Sequence, residues 1–293
     1  MLQTKSQTKT ATLLKLTFSK VHRIMQLGVM RGMERRELGD AVKHISMDEK
    51  AFKKGHQYVT ILTDPDNDRV LGVIAGRTKE SAKQLLTETF TKKQKAGIKS
   101  VCTDMWEAYI NTCKEELPNA KLCNDKFHLV KYLNEAVDNV RKQEVKKQYD
   151  LKQTKYLWLK DQMNMTEKQR IKFESINQIN YETARAWRIK ENFRDISFNQ
   201  SAQEALPIFM RWYHDAMKTQ LKPIMKVAEM FHRHIGEIIN AMVLGRNNAK
   251  AERMNGNIQE LKVIARGYRN INNFINAILF FNGKLNLYPQ ENL

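Results

Sequence analysis

Three acidic residues stand where an apolar or neutral side chain would serve packing better. Asp48 closes the stretch "HISMD", Asp104 ends the apolar run in "SVCTDMWEAY", and Glu252 falls near the start of the helical segment after "NNAKA". Ligands of open α/β sheets bind at strand ends, and a helix crossing the same edge can present a third side chain there. Two carboxylates from adjacent strands and one from a helix make an oxygen donor set suited to a pair of Mg2+ ions. Such a pair, about 3.5 to 4 Å apart, activates a water or a 3′-hydroxyl and stabilises the leaving oxygen of an in-line displacement at phosphorus. Each acid also has a plainer explanation. A strand-terminal Asp is often the N-cap of the next helix, and an acid in a first helical turn is favoured by the macrodipole. Glu49, beside Asp48, points to the opposite strand face and is the poorer ligand.

The elements that must position these residues are legible in the pattern. Residues 12–36 space Val21, Ile24, Met25, Val29 and Met33 at helical intervals with basic residues between them, which predicts one helix or the tail of a helical DNA-binding unit. β-branched runs near 42–47, 57–63 and 69–75 predict three strands, the last two joined by the turn "DPDND". Thr78 opens, as N-cap, a helix that stops at Gly97. Then "IKSVCTD" is a short strand, "MWEAYINTCKEELP" a helix ended by Pro118, and "AKLCND" a strand closing on Asp125. That order predicts an α/β fold. From about 127 to 240 the chain turns helical and basic, and after "GRNNAK" a last helical segment breaks at Gly267.

Composition narrows the partners. The chain has 293 residues, and 50 Lys and Arg against 32 Asp and Glu give a net charge of +18, which favours nucleic acid first and an acidic membrane surface second. Between 126 and 160, nine basic residues outnumber four acidic ones and are interleaved with Tyr132, Tyr149, Tyr156 and Trp158. Such a face can follow a phosphate backbone and stack on bases, or be an ordinary solvated helix face over core aromatics. Trp158, Trp187 and Trp212 have the same two readings, with core packing the stronger. Cys102, Cys113 and Cys123 include no CxxC pair, which argues against a disulfide framework or a zinc module and fits a reducing cytosol. No apolar run is long enough for a membrane span, and the opening residues lack a signal-peptide apolar stretch.

The blocks "HISMDEKAFKKGHQYVTILTD", "GRTKES", "VCTDMWEAY", "LPNAKLCNDKFHLVKYLNEAVDNVRK" and "NNAKAERMNGNIQELKVIARGYRNINNFINAILFF", in this order, closely resemble the ISL3 family of bacterial insertion-sequence transposases. The resemblance covers the chain from about residue 12 onward and implies a DDE transposase with an RNase H-like mixed sheet flanked by helices. It also implies a large helical insertion before the last catalytic helix. The expected division is a helical remnant of a DNA-binding region over 1–40, the first part of the catalytic core over 41–130, the insertion over 131–240, and the rest of the core over 241–293. Carried over by position, Asp48, Asp104 and Glu252 match the three catalytic and metal-binding acids. Asp125, His128, Asn248 and Asn255 match supporting positions, and Lys53, Lys54, Arg77, Lys131, Arg141 and Arg266 are candidates for DNA contact; Asn247 falls in the same block as Asn248.

The implied reaction is cleavage at the element's ends and joining of the freed 3′-hydroxyl to target DNA. The implied cofactor is a two-metal Mg2+ site with Mn2+ as a substitute. The partners are the terminal inverted repeats, target DNA and further copies of the chain on paired ends, in the bacterial cytoplasm with the nucleoid. Family members usually carry an N-terminal zinc-binding segment and a helix-turn-helix, whereas the first 40 residues here hold no cysteine. This points to a truncated copy, a disrupted gene or an end-recognition module elsewhere. The alternatives are a catalytically inactive DNA-binding remnant and another RNase H-like nuclease such as a resolvase.

Overall fold

A computed structural model describes residues 5–37, 42–53, 55, 57–160, 164–177, 181–245 and 249–289, with side chains described for all of these except 249–252. Two helices open the chain, α1 (Gln7–Leu14) and α2 (Phe18–Glu34). Lys15 separates them in a left-handed conformation (φ 52°), so the single helix expected over 12–36 is two. Then come β1 (His44–Lys53), β2 (Gln57–Asp64), β3 (Arg69–Ala75), α3 (Lys79–Thr89), α4 (Lys92–Gly97), β4 (Ser100–Thr103), α5 (Glu107–Glu116) and β5 (Lys121–Asn124).

A helical stretch follows: α6 (Lys126–Glu144), a 3₁₀ turn over Tyr149–Leu151, α7 (Lys155–Leu159), α8 (Glu167–Asn177), α9 (Glu182–Asp195), α10 (Ala202–Lys218), α11 (Lys222–Arg233) and α12 (Ile235–Leu244). The chain ends with α13 (Ala249–Ile264) and α14 (Ile271–Asn282). It divides into two compact units, Met1–Leu122 with Asn248–Leu293, and Cys123–Asn247. The first unit thus includes α1 and α2, the segment expected as a separate remnant. Among the described residues no helix is long and apolar enough to cross a membrane.

One five-stranded sheet runs in the order β3-β2-β1-β4-β5, and β1 to β4 lie wholly in the first unit. The β1–β2 and β2–β3 pairs are antiparallel, and β1–β4 is parallel. This is the mixed, helix-flanked sheet expected of an RNase H-like fold. The β2–β3 turn forms as the "DPDND" motif predicts, because Asp64 Oδ1 accepts from the backbone N–H groups of Asp66 and Asn67, both at 3.1 Å. Strand alternation then sorts two cores. Ile45, Met47, Leu62, Leu71 and Val101 pack with α3 and α5, whereas Phe52, Val59, Ile61 and Val70 pack with Met254 and Ile258 of α13 and Phe274 and Ile278 of α14. Gly72 brings β3 close to α3, since a Cβ there would lie 2.7 Å from Leu85 Cδ1.

The helix expected to run from Thr78 to Gly97 is two. Phe90 ends α3 in extended backbone and is 4% exposed, and Thr91 starts α4 with its own capping box to Gln94. Burial of one phenyl ring outweighs continuing the helix through it.

The second unit is held by aromatic rings. Phe173 meets Trp158 at 5.3 Å and Trp187 at 5.0 Å between centroids, and Phe193 meets Trp212 at 4.8 Å and Phe231 at 5.3 Å. All three tryptophans are buried, which decides for core packing over base stacking. Tyr149 and Tyr156 are exposed, each with a lysine ammonium over its ring. The N-terminus of α9 is capped from another helix. Tyr181 at the N-cap gives no side-chain bond, and Glu144 of α6 accepts instead from Glu182 N and Thr183 N, both at 2.8 Å, and from the Thr183 hydroxyl at 2.7 Å. Glu144→Ala leaves these donors unmatched and is expected to lower stability by about 3 kcal/mol. A urea midpoint within error of wild type would contradict that role.

Candidate active site

Parallel register places the two strand acids side by side. His44, Ile45, Ser46 and Met47 of β1 pair with Ser100, Val101, Cys102 and Thr103 of β4, so Asp48 and Asp104 are the next positions on neighbouring strands. Alternation directs both away from the core of Met47 and Val101, toward the sheet face that α13 covers. There Asn255 of α13 donates its Nδ2–H to Asp48 Oδ2 at 2.6 Å, and the Glu49 N–H donates to Asp48 Oδ1 at 2.8 Å. Residue 252 lies three positions earlier in α13, on the helix face that also carries Asn255. The Glu252 side chain lies outside the described residues, as do Lys54, Asn247 and Asn248. Among the described side chains no group of three His, Cys, Asp or Glu is gathered closely enough to hold a metal ion.

Asp104 is not the cap of the following helix. The N-cap of α5 is Trp106, which provides no side-chain bond; Asp104 Oδ1 instead accepts from the Trp106 backbone N–H at 3.0 Å. One carboxylate oxygen is thereby fixed by the backbone in a tight turn.

On the other sheet face, Thr60 donates to the Gly76 carbonyl at 2.7 Å and so accepts from the Tyr109 hydroxyl at 2.8 Å. Burial pushes the Tyr109 phenol far above its ordinary range, and the negative charges of Glu49, Asp104 and Asp48 push it the same way, while the Thr60 bond acts against the shift. The phenol stays a neutral donor. Glu49 indeed lies on this opposite face, its Oε1 3.7 Å from Arg77 Nη1. Arg77 is also stacked on two rings, 4.0 Å from the Tyr58 centroid and 4.9 Å from that of Trp106, and the Trp106 indole N–H donates to the Arg77 carbonyl at 3.1 Å. Thr60, Tyr58 and Tyr109 escaped the sequence reading because their roles depend on cross-strand neighbours; the Trp106 of "TDMWEAY" was the available signal.

The remaining candidates are distributed as follows. Lys53 and Arg266 are exposed on the first unit, Lys53 donating to the Arg269 carbonyl at 2.8 Å. In the second unit Asp125 is the N-cap of α6, its Oδ1 accepting from Phe127 N at 3.0 Å, with His128 Nε2 4.0 Å from Oδ2. Lys131 is exposed on the same helix. Arg141 is buried, and its guanidinium donates to Asp138 at 2.7 and 2.9 Å and to the Leu151 carbonyl at 3.4 Å. These inward bonds correct the expectation that it contacts DNA: the charge holds α6 to the turn after it. None of the three cysteines is in a disulfide, and burial raises the Cys113 thiol to about 12.

Comparison with known proteins agrees with this architecture. The profile of the ISL3-type DDE transposases, described as "Transposase", matches residues 45–278, which include β1, β4 and α13. The transposase for insertion sequence element IS1001 of Bordetella parapertussis is 26% identical over 236 residues, covering 78% of this chain and 58% of that protein. The transposase for insertion sequence element IS1557 of Mycobacterium tuberculosis is 25% identical over 256 residues, covering 78% and 57%. This chain thus spans a little under three fifths of the length of the curated relatives it matches. With the profile extending over most of its length, the chain belongs to the ISL3 family of DDE transposases.

Proposed function

We propose that the first unit carries out metal-dependent cleavage and strand transfer on DNA, with Asp48, Asp104 and Glu252 as the catalytic acids. The observation that supports this most is the juxtaposition of Asp48 and Asp104 on parallel neighbouring strands, with α13 joined to Asp48 through Asn255 one turn from residue 252. The donor chemistry fits Mg2+, which prefers hard oxygen ligands at few protein positions. When bound, it supplies charge neutralisation and a more acidic oxygen nucleophile.

The chain's own contribution is positioning. Backbone N–H groups hold one oxygen of each aspartate, and the Asn255 amide orients the second oxygen of Asp48. Bonds from such neighbouring groups fix ligand orientation and influence metal affinity. A neutral Tyr109 and the Glu49–Arg77 pair behind the sheet keep the site's negative charge on the α13 face. Asp125 and His128 remain supporting candidates; exposed Lys53, Lys131 and Arg266, and half-buried Arg77, are candidates for phosphate contact. The substrates in this reading are the element's inverted repeats and target DNA, engaged by more than one copy of the chain.

The test is incubation of the purified chain with supercoiled plasmid carrying the element's ends, in Mg2+, in Mn2+ and in EDTA. Nicks with 3′-hydroxyl ends that require the metal, followed by joining to a second DNA, are expected. Binding without nicking in either metal would reject catalysis and leave a DNA-binding remnant. Hydrolysis without joining would instead indicate a nuclease.

A further inference from the structure

α13 advances alongside β1, so the surface beyond the carboxylates can be traced. Asn255 meets Asp48, and Lys262 two turns later donates to the Ala51 carbonyl at 2.7 Å. Past the helix end, Arg266 and Gly267 turn the chain with φ values of 53° and 88°, and Lys53 reaches the Arg269 carbonyl at 2.8 Å. Between these residues lies a cleft of about 580 Å³ containing Lys53, Lys262, Arg266 and Arg269 and walled by Phe52 and Tyr268. A second, of about 550 Å³, shares Phe52, Lys53 and Arg269 and continues to Gln57, Tyr58 and Asn270. Among the described residues no acid lines either cleft. Four cations gathered along walls that carry no carboxylate repel one another, an arrangement that a polyanion relieves.

We infer that this paired cleft seats the phosphate backbone of DNA flanking the scissile position, an inference that rests on the catalytic reading of Asp48 and Asp104. Lys53 stands five positions after Asp48 in β1, about 16 Å of extended chain, which is the axial length of about five base pairs. Lys262 and Lys53 each use one N–H to tie down a neighbouring carbonyl. An ammonium has three donors, so each lysine is held in place and still has N–H groups for phosphate. Gln57 and Asn270 offer neutral donors alongside. Contacts of this kind to phosphate fix the position of the duplex and carry no sequence information directly.

The experiment compares Lys262→Gln/Arg266→Gln/Arg269→Gln with a control of equal charge loss, Lys92→Gln/Lys93→Gln/Lys99→Gln, at exposed positions on and just after α4. Affinity for a duplex is measured in EDTA over a range of salt concentrations, so that cleavage plays no part. The cleft variant is expected to bind at least tenfold more weakly and to lower the salt slope by about 2 to 3, roughly 0.9 for each phosphate that is no longer neutralised. The control is expected to keep the wild-type slope within about half a unit. Equal slopes for the two variants would overturn the inference. If the triple variant unfolds, Arg266→Gln alone, at an exposed turn, is expected to lower the slope by about 0.9, and an unchanged slope overturns it equally. Because the readout needs no metal, a cleft that binds as expected in a chain that never nicks DNA would separate this inference from the catalytic one.

Discussion

Asp104→Asn is expected to leave the chain folded and bound to DNA while reducing the proposed metal-dependent nicking by at least about a thousandfold, an effect on the scale of losing a major electrostatic contributor in an active site. The substitution is nearly isosteric. Asn keeps a carbonyl oxygen that can accept from the Trp106 N–H, so the turn into α5 survives. What it removes is one negative charge next to Asp48, and with it a carboxylate that would hold the metal ion needed to neutralise the phosphate. Removing a charge close to other carboxylates also relieves repulsion, so stability should hold or rise slightly. Nicking is read on a gel and binding by fluorescence anisotropy on the same preparation. Undiminished nicking by this variant would reject the assignment, and joint loss of binding and nicking would point to a structural role instead. Asp48→Asn is expected to behave alike, with Asn255 turning its amide to suit the new partner.

The second large effect concerns the helical unit. Phe193 is fully buried and packs against Trp212, Phe231 and, at 6.4 Å, Phe198. Phe193→Ala should therefore destabilise this unit by about 3 to 5 kcal/mol, combining lost apolar transfer with a cavity that surrounding rings fill incompletely. Set against a typical stability of about 5 to 15 kcal/mol, that is enough to shift unfolding into mild denaturant. Three of the four tryptophans, Trp158, Trp187 and Trp212, belong to this unit, so intrinsic fluorescence follows its unfolding. Leu206→Ala, at a half-exposed position of α10, serves as comparison and should stay within about 0.5 kcal/mol of wild type. A loss below about 1 kcal/mol for Phe193→Ala would show that the core repacks, contrary to the tight ring geometry.

Local signals carried much of this protein. The turn of "DPDND", the N-cap at Thr78 and the left-handed Gly267 act through neighbours within a few residues, and each forms as its sequence implies. Alternation along β1 likewise put Glu49 and Asp48 on opposite faces before any partner strand was known. Motif order identified the family because whole blocks, unlike single acids, rarely recur by chance. Other features depend on what a residue meets far along the chain. The break at Phe90 follows from a core assembled by five strands, and the inward role of Arg141 from its bonds to Asp138 and Leu151. Basic composition alone could not separate that buried guanidinium from Lys131 on the surface of the same helix.

The carboxylates show the same division most clearly. Residue types and strand ends marked Asp48 and Asp104 as candidates, but a ligand and a helix cap look identical in one dimension. Parallel pairing of β1 with β4, the Trp106 cap position and the Asn255 bond decided how the two aspartates are placed, because each is a contact between segments that only folding brings together. Sequence specifies the period and chemistry of each element; which elements become neighbours is set by cooperative burial of two sheet faces, a property of the whole chain.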